Sequence, residues 1–163
     1  MKIAIGCDEA ACDMKEAIQR MLLEQSHELL DFGTHDHQPV LYPDIGVAVA
    51  EAIRQGRAER GLLFCGTGIG MAIAANKVPG IRAAQAHDTY SAQRASKSND
   101  AQILSLGARV VGLELAKVIV EAFLLSRPES RSRAKLDALA AHEQRLRQPR
   151  SDLLSRLGDN LAP

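Results

Sequence analysis

The feature that most constrains this chain is an apolar run that ends in a cluster of glycines. Gly61-Leu62-Leu63-Phe64-Cys65 has strand length and no polar alternation, and it leads through Gly66-Thr67-Gly68-Ile69-Gly70 into the helix-forming Met71-Ala72-Ile73-Ala74-Ala75-Asn76. A strand without alternation is one covered on both faces, as in a parallel sheet flanked by helices. The turn admits two readings. It is a plain strand-to-helix connection, or it is an anion cradle, because closely spaced glycines let the backbone approach a ligand and a helix start offers unpaired N–H groups. No Lys-Ser/Thr pair follows, so it is not a P-loop. A dinucleotide fingerprint would follow the first strand, where the chain instead has Gly6-Cys7-Asp8-Glu9-Ala10-Ala11.

The rest of the chain repeats this alternation. Residues 2–6 and 28–32 read as strands, separated by a helix with Met14, Ile18, Met21 and Leu22 at helical spacing. After a polar loop over 34–39, Tyr42-Pro43-Asp44 opens a helix with Pro and an acid at its start; Val47, Ala48 and Ile53 form its apolar face and Gly56 its stop. Strands over 81–86 and 103–107 alternate with helices over 89–97 and 113–125, and a last helix covers 131–147. The short connections demand right-handed crossovers. The expectation is a three-layer α/β/α sandwich around a five-stranded, mostly parallel, doubly wound, Rossmann-like sheet. One domain would span 1–147, leaving 148–163 as a tail that is frayed or docked on a partner subunit.

Composition narrows function by exclusion. The 163 residues suffice for a core without staples. Twenty basic side chains cancel twenty acidic ones, so no global field draws the chain to nucleic acid or an anionic membrane. With 3% aromatics and no Trp there is little to stack on single-stranded bases. No apolar run reaches the ~20 residues of a membrane span, and the opening residues are too soon broken for a secretory signal. Three cysteines do not make a disulfide framework, which points to a cytoplasmic setting.

Ligands of open parallel sheets bind beyond the carboxyl ends of the strands. That rule selects Asp8-Glu9, residues 35–42, 65–70, His87-Asp88 and 107–109. Cys65 caps an apolar strand, where most cysteines only pack, yet it also lies beside a helix start, where a thiolate becomes available. Cys7 and Cys12 have no such context and read as structural. His35 and His37 lack partners at ligand spacing, so no metal site is expected. His27 and His142 read as surface residues and His87-Asp88 as a polar loop. Arg131, Arg133 and Lys135 form a solvated helix face, or a phosphate-binding one if that helix crosses the crevice.

Several blocks together resemble one family. Gly6-Cys7-Asp8, Tyr42-Pro43, Cys65-Gly66-Thr67-Gly68-Ile69-Gly70, residues 74–82, Asn99-Asp100-Ala101 and residues 107–112 are similar to the type B ribose-5-phosphate isomerases and the related galactose-6-phosphate isomerase subunits. The likeness runs from Met1 to about residue 144. It implies aldose–ketose isomerisation of a sugar phosphate through a cis-enediolate, without metal or organic cofactor. It makes Cys65 the base and Thr67 an aid to proton transfer. Backbone N–H groups over Gly66, Gly68, Ile69 and Gly70 would hold the enediolate oxygen. Asp8, Tyr42 and Asn99 match sugar-binding positions. Arg109 and Arg131 match phosphate ligands, with Lys135 where a second Arg is usual. It further implies a homo-oligomer, a homodimer or tetramer, in which the neighbouring subunit completes each site.

Two positions depart from the pattern. Glu9 and Ser98 stand where many members carry histidine, the second of which opens the sugar ring. A serine hydroxyl does not shuttle protons near neutrality as imidazole does. Ribose 5-phosphate is largely a ring closed through O4, whereas a tetrose 4-phosphate has O4 esterified and cannot form it. The expectation is therefore a tetrose phosphate isomerase, for the erythrulose 4-phosphate/erythrose 4-phosphate pair, with ribose 5-phosphate as the rival substrate. From another class, a non-catalytic sugar-phosphate-binding subunit is the alternative.

Overall fold

Strand-to-helix alternation closes into one sheet. The computed structural model describes residues 1–147; the expected tail lies outside them. In chain order the elements are β1 (Lys2–Cys7), α1 (Cys12–Glu24), β2 (Glu28–Asp31), α2 (Tyr42–Arg54), β3 (Arg60–Cys65), α3 (Ile69–Ala75), β4 (Ala83–Gln85), α4 (Thr89–Asn99), β5 (Ile103–Gly107), α5 (Leu113–Leu124) and α6 (Arg133–Arg147). Single 3-10 turns occupy Glu9–Ala11 and Ser130–Ser132. The five strands lie in the order β2-β1-β3-β5-β4, and every pairing is parallel, where a mostly parallel sheet was expected.

The period of two along each strand divides the core. Ile3, Ile5, Leu62, Phe64, Leu104 and Leu106 pack against α1, α4 and α5. Ala4, Leu63, Cys65 and Ile103 point to the other face, onto α2 and α3. Side chains alternating across a fully covered sheet require both sets to be apolar, which is why β3 reads as one continuous run.

Three local expectations change. The buried face of α2 is Gly46, Val49, Ala50 and Ala52, not one built on Val47, which is 37% exposed. Small residues set this face: a Cβ on Gly46 would lie 3.0 Å from Ala74 Cβ, so α2 presses close to α3. β4 is shorter than 81–86 because side-chain amides take over its entry. Gln102 Oε1 accepts the Arg82 N–H at 2.9 Å and Asn76 Oδ1 the Ala83 N–H at 2.9 Å. The last α-helix begins at Arg133, after the 3-10 turn, and buries none of its residues.

All strands end at one edge, carrying residues 8–11, 32–41, 66–70, 86–88 and 108–112 there. Helices α4 and α5 run back and deliver 98–102 and 125–132 to the opposite, amino edge. α6 stays on that side, where Glu143 Oε2 accepts the Gly80 N–H at 3.1 Å. It does not cross the crevice at the carboxyl edge of its own chain.

Candidate active site

The carboxyl edge is shaped by backbone. Cys65 ends β3 and is 5% exposed; its Sγ accepts the Gly68 N–H at 3.0 Å. Gly68 makes this possible with φ +78°, and a Cβ there would come within 2.9 Å of the Leu106 carbonyl carbon. Thr67 Oγ1 accepts the Ile69 N–H at 3.4 Å. The turn is fixed from behind by Ser105 Oγ, which donates to the Gly68 carbonyl at 2.6 Å, and by Gln85 Nε2, which donates to that of Thr67 at 2.9 Å. Gly107 is equally confined, since a Cβ would meet the Thr67 backbone at 2.8 Å. The Ala108 and Arg109 N–H groups bind the carbonyls of Cys65 and Gly66 at 2.8 and 3.0 Å. Ser105 and Gln85 carry no sequence signal of this role.

Around the turn stand the polar groups expected there. The Tyr42 ring lies on Gly70, so close that a Cβ at Gly70 would be 2.7 Å from it. The Arg109 side chain lies over Gly66. Asp8 caps the Glu9–Ala11 turn through the Ala10 N–H, 3.1 Å away. Burial pushes its carboxyl above the usual Asp range, and the Ala10 N–H and the Arg109 charge work against that rise. Glu9 Oε2 accepts the Val40 N–H at 3.3 Å and thereby braces the loop over 34–41. The same loop is anchored by the buried Lys15, whose Nζ binds Asp31 Oδ2 at 2.9 Å and the Thr34 carbonyl at 3.0 Å.

The other cysteines are packing groups. Cys7 and Cys12 are buried with their sulfurs 3.9 Å apart, and burial pushes the Cys7 thiol well up. His87 is more than loop: its Nε2 accepts the Gly107 N–H at 3.0 Å, while Asp88 caps α4 through the Ser91 N–H. Among the described residues no three His, Cys, Asp or Glu side chains gather as a metal-binding group.

The remaining expected residues meet elsewhere. Tyr90, Arg94, Ser98, Asn99, Arg131, Ser132 and Lys135 line a polar cavity of about 410 Å³ beside α4, from Tyr90 in its first turn to Ser98 and Asn99 at its amino-edge end. Arg109 therefore does not converge with Arg131 and Lys135 within one chain, because α4 and α5 carry those neighbours away from the thiol. Arg94 and Glu129 were not anticipated. Arg94 lies four residues before Ser98, the spacing at which helical side chains meet, and that was the available signal.

The chain is similar along most of its length to sugar-phosphate isomerases. The Ribose/Galactose Isomerase family profile matches residues 3–139. The chain is 49% identical over 148 residues to ribose-5-P isomerase B of Listeria innocua, covering 90% of this chain and 100% of that one. It is 53% identical over 128 residues to D-erythrulose-4-phosphate isomerase of Pectobacterium atrosepticum, covering 76% and 82%. The structure of Clostridium thermocellum ribose-5-phosphate isomerase B superimposes with a TM-score of 0.87 at 44% identity, covering 90% and 99%. Matched by the family profile over residues 3–139 and by relatives along most of its length, the chain belongs to the ribose/galactose isomerase family of sugar-phosphate isomerases.

Proposed function

We propose that the chain interconverts erythrulose 4-phosphate and erythrose 4-phosphate, with Cys65 as the base. The thiolate takes a proton from C1 of the ketose, and the C2 carbonyl electrons move onto oxygen to give the cis-enediolate. Return of that proton to C2, while the O1 proton passes to O2 beside Thr67, yields the aldose. Arg109 and the N–H groups of the 66–70 turn other than those of Gly68 and Ile69, which Cys65 Sγ and Thr67 Oγ1 already hold, are at hand for the negative oxygen, and Asp8 and Tyr42 for the hydroxyls. General acid–base catalysis of this kind contributes about 10²–10⁴-fold.

The single observation carrying the tetrose preference is Ser98, which stands in the cationic cavity where the ring-opening histidine of many members would be. Ribose 5-phosphate needs such a group and an acyclic tetrose phosphate does not. His87 is a poor substitute, since its one unprotonated nitrogen is occupied by the Gly107 N–H.

The site is completed in a homo-oligomer. α4 has 11 residues and a length on the order of 16 Å, so Ser98 and Asn99 at its far end stand well away from the carboxyl-edge thiol of the same chain. A sugar phosphate of six or seven bonds at ~1.5 Å each reaches no more than about 9 Å. Leu41, Val47, Ile69 and Ile73, all exposed on or beside α2 and α3, give a second copy an apolar surface next to the thiol.

Side-by-side kcat/KM values for erythrulose 4-phosphate and ribose 5-phosphate test the reading. A preference for the tetrose supports it, and a preference for the pentose moves the assignment to ribose-5-phosphate isomerase. No turnover of either, with retained binding, leaves a sugar-phosphate-binding subunit.

A further inference from the structure

Ser98 is not a free hydroxyl. Arg94, one turn earlier on α4, folds back on it, donating from Nε to Ser98 Oγ at 2.8 Å and from Nη2 to the same oxygen. The far side of the guanidinium binds Glu129, with Nη1 to Oε1 at 3.3 Å and Nη2 to Oε2 at 3.1 Å. Glu129 is in turn held by Arg131 Nε at 2.6 Å, and its own N–H binds the Lys97 carbonyl at 2.9 Å. The guanidinium is thus braced from two sides at the wall of the cavity.

A serine oxygen has two lone pairs and one proton. Arg94 takes both lone pairs, so the proton is all that Ser98 has left to offer. The hydroxyl becomes a fixed donor, with nowhere to accept a proton from a sugar. Arg94 also joins Arg131 and Lys135 as a third cation against the one carboxylate of Glu129, which leaves an excess of positive charge suited to a phosphate dianion.

We infer that Arg94 is a specificity-determining residue. By holding Ser98 as a donor, it suits the site to an open-chain tetrose phosphate and closes the route by which position 98 would open a furanose ring. This rests on the isomerase reading above and adds a consequence that reading lacks. A histidine placed at position 98 beside Arg94 would meet a guanidinium that takes its free lone pair and disfavours its protonated form. Ser98→His alone should therefore gain little, and should act only when Arg94 is also removed.

The test is a double-mutant cycle read as kcat/KM for both sugar phosphates. It compares wild type, Arg94→Leu, Ser98→His and the double variant, each checked for native circular dichroism and oligomer size. Ser98→His alone should change pentose turnover by less than about threefold, while the double variant raises it about tenfold or more, a coupling of the size seen between contacting residues. Arg94→Leu alone should lower the tetrose-to-pentose ratio about tenfold. Additive effects of the two substitutions, or an unchanged ratio in Arg94→Leu, overturn the proposal. Should Arg94→Leu fail to fold, Arg94→Gln removes the charge and is judged by the same ratio. If wild type turns over neither sugar, the isomerase reading has failed and Arg94 is judged by binding. The relative affinity for open-chain 4-phosphoerythronate and ring-locked 1,4-anhydroribitol 5-phosphate must then shift in Arg94→Leu, and a constant ratio overturns the proposal.

Discussion

The two edges of the sheet are built by different means. At the carboxyl edge, position is set by backbone: Gly68 and Gly107 leave no room for a Cβ, and main-chain groups and buried polar side chains hold the turn. At the amino edge, position is set by long side chains in ion pairs, with Arg94, Glu129 and Arg131 holding one another. The contrast follows the chemistry each edge is assigned. A base must meet a particular C–H within a fraction of an ångström, whereas a phosphate dianion is satisfied by several cations on flexible stems. Rigid backbone belongs to the first task and adjustable charge to the second.

The deepest cut into this comparison is Cys65→Ala. It should lower kcat by about 10³-fold while leaving phosphate affinity near its original value, because the cationic cavity is untouched; retained turnover in a continuous isomerase assay would remove the thiol from the mechanism. Arg131→Ala attacks the other edge and should do the reverse, raising KM about 10–100-fold with kcat little changed, the loss expected for a charge-assisted hydrogen bond. A fall confined to kcat would put Arg131 at the chemistry instead.

Gly68→Ala probes the rigid edge through stability. A residue with a Cβ at φ +78° would face the Leu106 carbonyl carbon at 2.9 Å, so chemical unfolding should report a loss of about 1–3 kcal/mol. Unchanged stability would mean that the turn adapts. The smallest effect concerns Glu129, whose carboxyl the Arg94 hydrogen bond, then that of Arg131, holds below the ordinary glutamate range. A carboxylate depressed in the native state stabilises fully above its unfolded value, and that contribution is lost as pH falls through the native one. Wild type should thus be slightly more stable than Glu129→Gln near neutrality, and urea midpoints should converge on acidification. A gap independent of pH would deny the ion pairs any part.

How legible all this was from residues depends on what positioned them. β3, its turn, β5 and α5 were readable because continuous apolar runs and helical spacing are local properties. The face of α2 was not, since Gly46 against Ala74 is a fit between two helices that periodicity within one helix cannot report. Cys65, Tyr42, Asp8 and Arg109 were expected together and do gather at one edge. Arg131 and Lys135 were expected to join Arg109, and do not in one chain, because only the three-dimensional path of α4 and α5 reveals which edge they reach. His87 looked like loop because its partner is a main-chain N–H twenty residues on. Arg94 looked like solvated helix surface, as most helical arginines are; only its contact with Ser98 distinguishes it.

The two edges work together only if they belong to one site formed between two copies. Co-assembly of Cys65→Ala subunits with Asn99→Ala/Arg131→Ala subunits tests this directly. Each variant alone should be nearly inactive toward erythrulose 4-phosphate held below the wild-type KM. Equal mixtures, reassembled, should recover roughly a quarter of wild-type activity, because half the two-fold assemblies are mixed and each holds one intact site. Activity no greater than the mean of the two pure variants, with mixed assemblies present by native mass spectrometry, would contradict a site shared between chains.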